Sequence, residues 1–152
     1  IVHIELDRKT LVSRSAEVEH ERAAAIYDLL EENHFAPVGD FKGPYRVHMR
    51  VEDANRLIID INDTVDSALI SISMSLMPFR RILRDYFKIC ESYFDAIKRL
   101  SPSQIETIDM ARRGLHNEGS EFLMERLAGK AVMDRDTARR LFTLLCVLHF
   151  RG

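Results

Sequence analysis

The chain has 152 residues, enough for one domain with a sizeable core. Its hydrophobic fraction of 46% and charged fraction of 30% are ordinary for a globular protein, and its formal net charge is −2. That balance gives no global electrostatic case for nucleic acid as a partner, though it leaves room for a local basic patch, and the longest apolar stretch, Leu141 to Phe150, is far below the ~20 residues of a membrane span.

Ile1 to Leu6 reads as a strand and Asp7 to Arg14 as a polar loop. Ser15 suits an N-cap for a helix running to about Glu32, with Val18, Ala25, Ile26 and Leu29 on its apolar stripe. Ala23, Ala24 and Ala25 permit close packing. Glu17, Glu19, Glu21, Asp28, Glu31 and Glu32 make this helix acidic, either as a solvated face or as a docking surface. His20 has no second ligand at i+3 or i+4, so no metal site is expected.

Asn33 to Gly43 is punctuated by Pro37, Gly39 and Gly43 and reads as a loop that packs down through Phe35 and Phe41. Three alternating runs follow, Pro44–Val51, Leu57–Asn62 and Ala68–Met74, joined by short turns as in an antiparallel meander. One face is apolar and suited to helices. The other carries Arg46, His48, Arg50, Asp60, Ser71 and Ser73, as a solvated face or a basic binding surface.

Pro78 opens a helix to about Arg99, with Phe79, Ile82, Leu83, Tyr86, Cys90, Tyr93, Phe94 and Ile97 on one face. Arg81 with Asp85, and Asp95 with Arg99, make i,i+4 pairs. Ser101-Pro102-Ser103-Gln104 is a capping box with proline at the first helical position, and it starts a helix reaching Leu127. Gly129 to Met133 is a stop and short link. Asp134 then caps a last helix running to about His149. That helix is apolar nearly all round, which places it centrally or in an oligomer interface. Cys90 and Cys146 lie in apolar helical patterns and read as free thiols of a reducing, cytoplasmic compartment, an inter-helix disulfide being the alternative. No signal-peptide pattern appears. The expected fold is α+β over residues 1–152, sheet-rich to about 75 and helical from about 78 to 150: an N-terminal strand and helix, the three-stranded meander, then three to four packed helices.

The helix from Ser101 has an unusual middle. Ile105, Ile108, Leu115, Phe122, Leu123 and Leu127 form its core stripe, and Arg112, His116 and Gly119 fall within it. Arg113, Asn117 and Ser120 lie on its flank. A buried guanidinium needs a partner: a carboxylate, backbone carbonyls or a bound anion. A break at Gly114 or Gly119 would instead reset the helical phase and turn Arg112 outward. The cluster therefore reads as a structural polar network, as a ligand or active site, or as a partner contact. Asp109-Met110-Ala111-Arg112-Arg113 is echoed by Asp136-Thr137-Ala138-Arg139-Arg140, which is too short for a repeat and is taken as coincidence.

Several strings resemble a known family: Gly43-Pro44-Tyr45-Arg46-Val47-His48, Pro78-Phe79-Arg80-Arg81-Ile82, Asp85-Tyr86-Phe87, Ile89-Cys90-Glu91-Ser92-Tyr93, Arg112 to Ser120, and Thr137 to Leu144. Together they are similar to uncharacterised protein family 0262 of alphaproteobacteria, over about Glu19 to Gly152. Met77 departs from the expected Thr before Pro78, and Asp63 to Ser67 differs. The resemblance implies a bacterial cytoplasmic protein and brings no catalytic or binding residues, since the family has no assigned activity.

Three functions compete. The first is a non-enzymatic binding or regulatory protein that holds a small anionic ligand through Arg112, Arg113, His116 and Asn117, with no cofactor and no metal. The second is a structural protein that forms a homo-oligomer through the last helix or docks through the acidic first helix. The third is an enzyme on a phosphorylated or carboxylated metabolite, with His116 as general acid/base and Glu118 as a second such group. Against the enzyme, no Gly-rich phosphate loop, metal-ligand spacing or nucleophile elbow is present, and Glu118 lies opposite His116 on a continuous helix.

Overall fold

The computed structural model describes residues 1–7 and 16–149. The chain is α+β. β1 (His3–Leu6) precedes α1 (Ala16–Glu31) and β2 (Phe35–Pro37). The meander β3 (Arg46–Glu52), β4 (Arg56–Asn62) and β5 (Ala68–Ser75) follows, then α2 (Arg80–Arg99), α3 (Pro102–Leu127), β6 (Ala131–Met133) and α4 (Arg135–His149). The expected cap Ser15 and most of the expected loop Asp7–Arg14 lie outside the described residues, as does Phe150.

The meander forms as its alternation dictates, with Val47 opposite Ile61 and Ile59 opposite Ile72. β1 adds to the β3 edge in parallel, giving the order β1-β3-β4-β5. Ile4, Leu6, Val47, Met49, Val51, Leu57, Ile59, Ile61, Ile72 and Met74 bury one face in a core shared with the helices. On the opposite face the charges are largely matched within the sheet. Asp60 accepts from Arg50 Nε at 3.2 Å and from the Ser71 hydroxyl at 2.7 Å.

Two segments read as loop and link carry strand. Phe35–Pro37 pairs antiparallel with Ala131–Met133, and burial alternates so that Phe35, Pro37, Ala131 and Met133 point inward. Strands of three residues are too short for their periodicity to register, and Pro37 argued against one; proline is tolerated here on an edge strand.

Pro78 sits in a 3-10 turn, Met77–Phe79, that leads into α2. α3 starts at the capping box: the Ser101 side chain accepts from the Gln104 backbone N–H, and the Gln104 side chain accepts from the Ser101 N–H. It then runs unbroken to Leu127. Neither glycine ends it. A Cβ at Gly114 would meet nothing within 4 Å, whereas one at Gly119 would lie 2.2 Å from Phe142 Cζ. Gly119 is therefore the point where α4 presses on α3, an approach that no other residue would allow. α4 is capped by Asp134, whose Oδ1 accepts from the Thr137 N–H at 2.9 Å. Its all-round apolarity matches burial of Ala138, Leu141, Phe142, Leu144, Leu145, Cys146, Val147 and Leu148 within the chain, against α1, α3 and β3. Cys90 and Cys146 are buried free thiols. No helix among the described residues is long and apolar enough to cross a membrane.

Candidate functional site

Because α3 is continuous, the stripe places Arg112 and His116 inward, toward α1 and α4. Arg112 keeps 23% of its side-chain surface and meets three partners. Its Nε and Nη2 donate to Asp109 Oδ1 at 3.1 and 2.7 Å, its guanidinium lies 4.6 Å from the centre of the Tyr93 ring, and Glu21 Oε1 of α1 stands 4.0 Å from Nη1. The acid is one helical turn back on α3, and the aromatic face comes from α2, which had offered no inward carboxylate. Arg113 Nε takes the other oxygen of Asp109 at 3.2 Å and is largely exposed.

His116 is buried. His116 Nε2 and the Thr143 hydroxyl share a hydrogen bond of 2.8 Å, and that hydroxyl also lies 3.2 Å from the Arg139 carbonyl. On its other side Nδ1 faces Ser120 Oγ at 3.4 Å, a hydroxyl that donates to the His116 carbonyl at 2.7 Å. Burial, followed by the Arg139, Arg112 and Arg140 guanidinia, pushes this imidazole down to about 4. It is a neutral, hydrogen-bonded wall residue. Glu118 points away to α2, where its Oε1 accepts from Arg81 at 2.8 Å, so the acid/base pair with His116 does not form. Asn117 is not in the cleft wall; its Oδ1 accepts from Arg139.

These groups border a cleft of about 280 Å³ between α1, α3 and α4. Arg112, Arg113 and His116 line it from α3, and Arg139, Arg140 and Thr143 from α4. His20, Glu21, Ala24, Ala25 and Asp28 line it from α1, with Tyr86 at its base. Of the four residues expected at the site, three come together. Sequence reading missed Glu21, Asp28, Arg139 and Arg140. The signal for the last two was the echo of Asp109–Arg113 in Asp136–Arg140, since the two Arg-Arg pairs meet at this one cleft. Arg140 Nη2 stands 3.7 Å from Asp28 Oδ2, and Arg139 has no carboxylate partner among the described residues. Burial raises the Glu21 carboxyl above its ordinary range, with Arg112 and His20 opposing the shift. No group of three metal-ligating side chains occurs among the described residues.

The chain matches the Uncharacterised protein family (UPF0262) over residues 1–151, and it belongs to that family. It is 61% identical to a UPF0262 protein of Paramagnetospirillum magneticum, covering 100% of this chain and 96% of the relative. It is 60% identical to one of Rhodospirillum rubrum, covering 100% and 93%. With one of Ruegeria pomeroyi the identity is 59%, over 100% and 97%. No solved structure matches the chain.

Proposed function

We propose that this protein is a non-enzymatic binding or regulatory protein whose ligand is a small anion held in the cleft between α1, α3 and α4. The observation that carries this reading is the convergence of Arg112, Arg113, Arg139 and Arg140, with Arg139 bonded to a neutral amide and not to an acid. Guanidinium groups present paired donors that match carboxylate and phosphate oxygens. The lowered His116 pKa agrees with it: burial is the largest cause, and Arg139, Arg112 and Arg140 add to it in the same sense. Asn117 serves by orienting Arg139, and His116 by closing the wall.

Thermal shift with sulfate, phosphate, phosphorylated metabolites and small carboxylates, amino acids included, tests this. A ligand at 100 times its dissociation constant adds ~2.7 kcal/mol of stability. The parent melts higher with at least one of them, and Arg139→Gln with Arg113→Gln loses the shift while its ligand-free melting temperature stays close to the parent's. An unshifted parent, or a double variant that shifts as the parent does, overturns the reading. Arg112→Ala is the poorer probe, because it also removes the bonds to Asp109 Oδ1 and the stacking on Tyr93.

A further inference from the structure

The cleft has two unlike walls. Arginines come from α3 and α4, whereas the α1 wall carries Glu21 and Asp28 with the small side chains Ala24 and Ala25 between them. The contacts joining the walls are loose: 4.0 Å from Arg112 to Glu21 and 3.7 Å from Arg140 to Asp28. We propose that the ligand is a free α-amino acid, its carboxylate held by the arginines of α3 and α4 and its ammonium by Glu21. This rests on the anion reading and specifies it.

Charge decides the class. A plain anion in this space would lie against Glu21 and Asp28 with nothing of its own to offset the repulsion. A plain cation would face four guanidinium groups. A zwitterion of amino-acid size satisfies both walls. Glu21 is the better ammonium partner of the two acids. Asp28 lies seven residues on, about 10 Å along the helix, so one ammonium reaches only one of them. Asp28 is also the more exposed, and Arg140 faces it. Glu21 is the more buried, and its one ion pair among the described residues is the long contact to Arg112, which is already bonded to Asp109. The raised Glu21 pKa agrees with a carboxylate whose charge the protein itself compensates poorly. Ala24 and Ala25, with their small side chains, leave the space between the walls unfilled.

Calorimetric titration of the full chain with each free amino acid, its N-acetyl derivative and inorganic phosphate tests the proposal. Acetylation keeps the carboxylate and removes the ammonium charge. At least one free amino acid binds, and its N-acetyl form binds about tenfold weaker or worse, the usual scale for losing a charged hydrogen bond. Glu21→Gln, checked for an unchanged melting temperature, weakens the free amino acid by a similar factor and leaves phosphate or the N-acetyl form bound at least as tightly. Equal binding of free and N-acetyl forms overturns the proposal, as does unchanged amino-acid affinity in Glu21→Gln. Binding of phosphate or N-acetyl forms with none of the free amino acids overturns it and leaves the anion reading standing. If no probe binds, both fall.

Discussion

Two glycines in one helix have opposite consequences. Gly114 faces open space, so Gly114→Ala adds no contact and removes backbone freedom from the unfolded chain. It should stabilise by up to ~1 kcal/mol. At Gly119 the same substitution drives a methyl into the Phe142 ring. Overpacking at such a site costs about 1–3 kcal/mol, which outweighs the helix-propensity gain. Urea unfolding of the two variants gives shifts of opposite sign; equal signs would mean the α3–α4 contact is looser than described. His116 predicts a pH dependence. Its folded pKa is about 4 against an ordinary 6.5, so the unfolded chain takes up the proton first as pH falls. Its contribution is complete above pH 6.5 and is lost between 6.5 and about 4, amounting to up to about 3 kcal/mol. His116→Gln should flatten the fall of unfolding free energy across that window. An unchanged slope would assign the dependence to other groups.

At the scale of elements, legibility followed length. The meander, α2, α3 and α4 could be placed because each repeats its period several times and begins with a recognisable turn or cap. The Ser101–Gln104 box is of this kind, and Ser101→Ala should cost about 1 kcal/mol, measured by urea unfolding. No loss would mean that Pro102 and tertiary packing alone set the start of α3. β2 and β6 were illegible, because three residues carry too little pattern and their pairing spans most of the chain. The site was half legible. Periodicity along α3 correctly turned Arg112 and His116 inward. It could not reveal the opposite wall, since nothing in the spacing of Glu21 or Asp28 says which acids of an acidic helix face a partner. The partners of Asn117 and Glu118 were illegible for a related reason. Their roles are set by Arg139 and Arg81, residues on other helices.

For the molecule as a whole, the walls of the cleft differ in how firmly they are held. α4 buries nearly its whole length, from Thr137 to Leu148, whereas α1 fully buries only Ala25 and Leu29. Its other ties include the exposed or half-exposed pairs with Arg112 and Arg140, which contribute little each. Elements with few buried contacts open at lower free energy than the core. Native-state hydrogen exchange should therefore find α1 amides exchanging well before those of α4, and a cleft ligand should slow α1 in particular. If α1 and α4 exchanged at one common rate, the chain would open only as a unit.

The contact between Gly119 and Phe142 has a mechanical side. The two arginine pairs sit at unequal arms from this crossing. Arg112 is seven residues away along α3, about 10 Å, whereas Arg139 is three residues away along α4, about 5 Å. The crossing acts as the rivet of a pair of callipers. A small change in the angle between the helices becomes a larger change in the gap between the guanidinium pairs, because the long arm magnifies it. The gap between the guanidinium pairs thus depends on there being only a hydrogen atom at position 119, on a part of the helix that does not border the cleft. A graded series at the rivet, Gly119→Ala against Phe142→Leu, would close or widen the jaws without touching a single charged group.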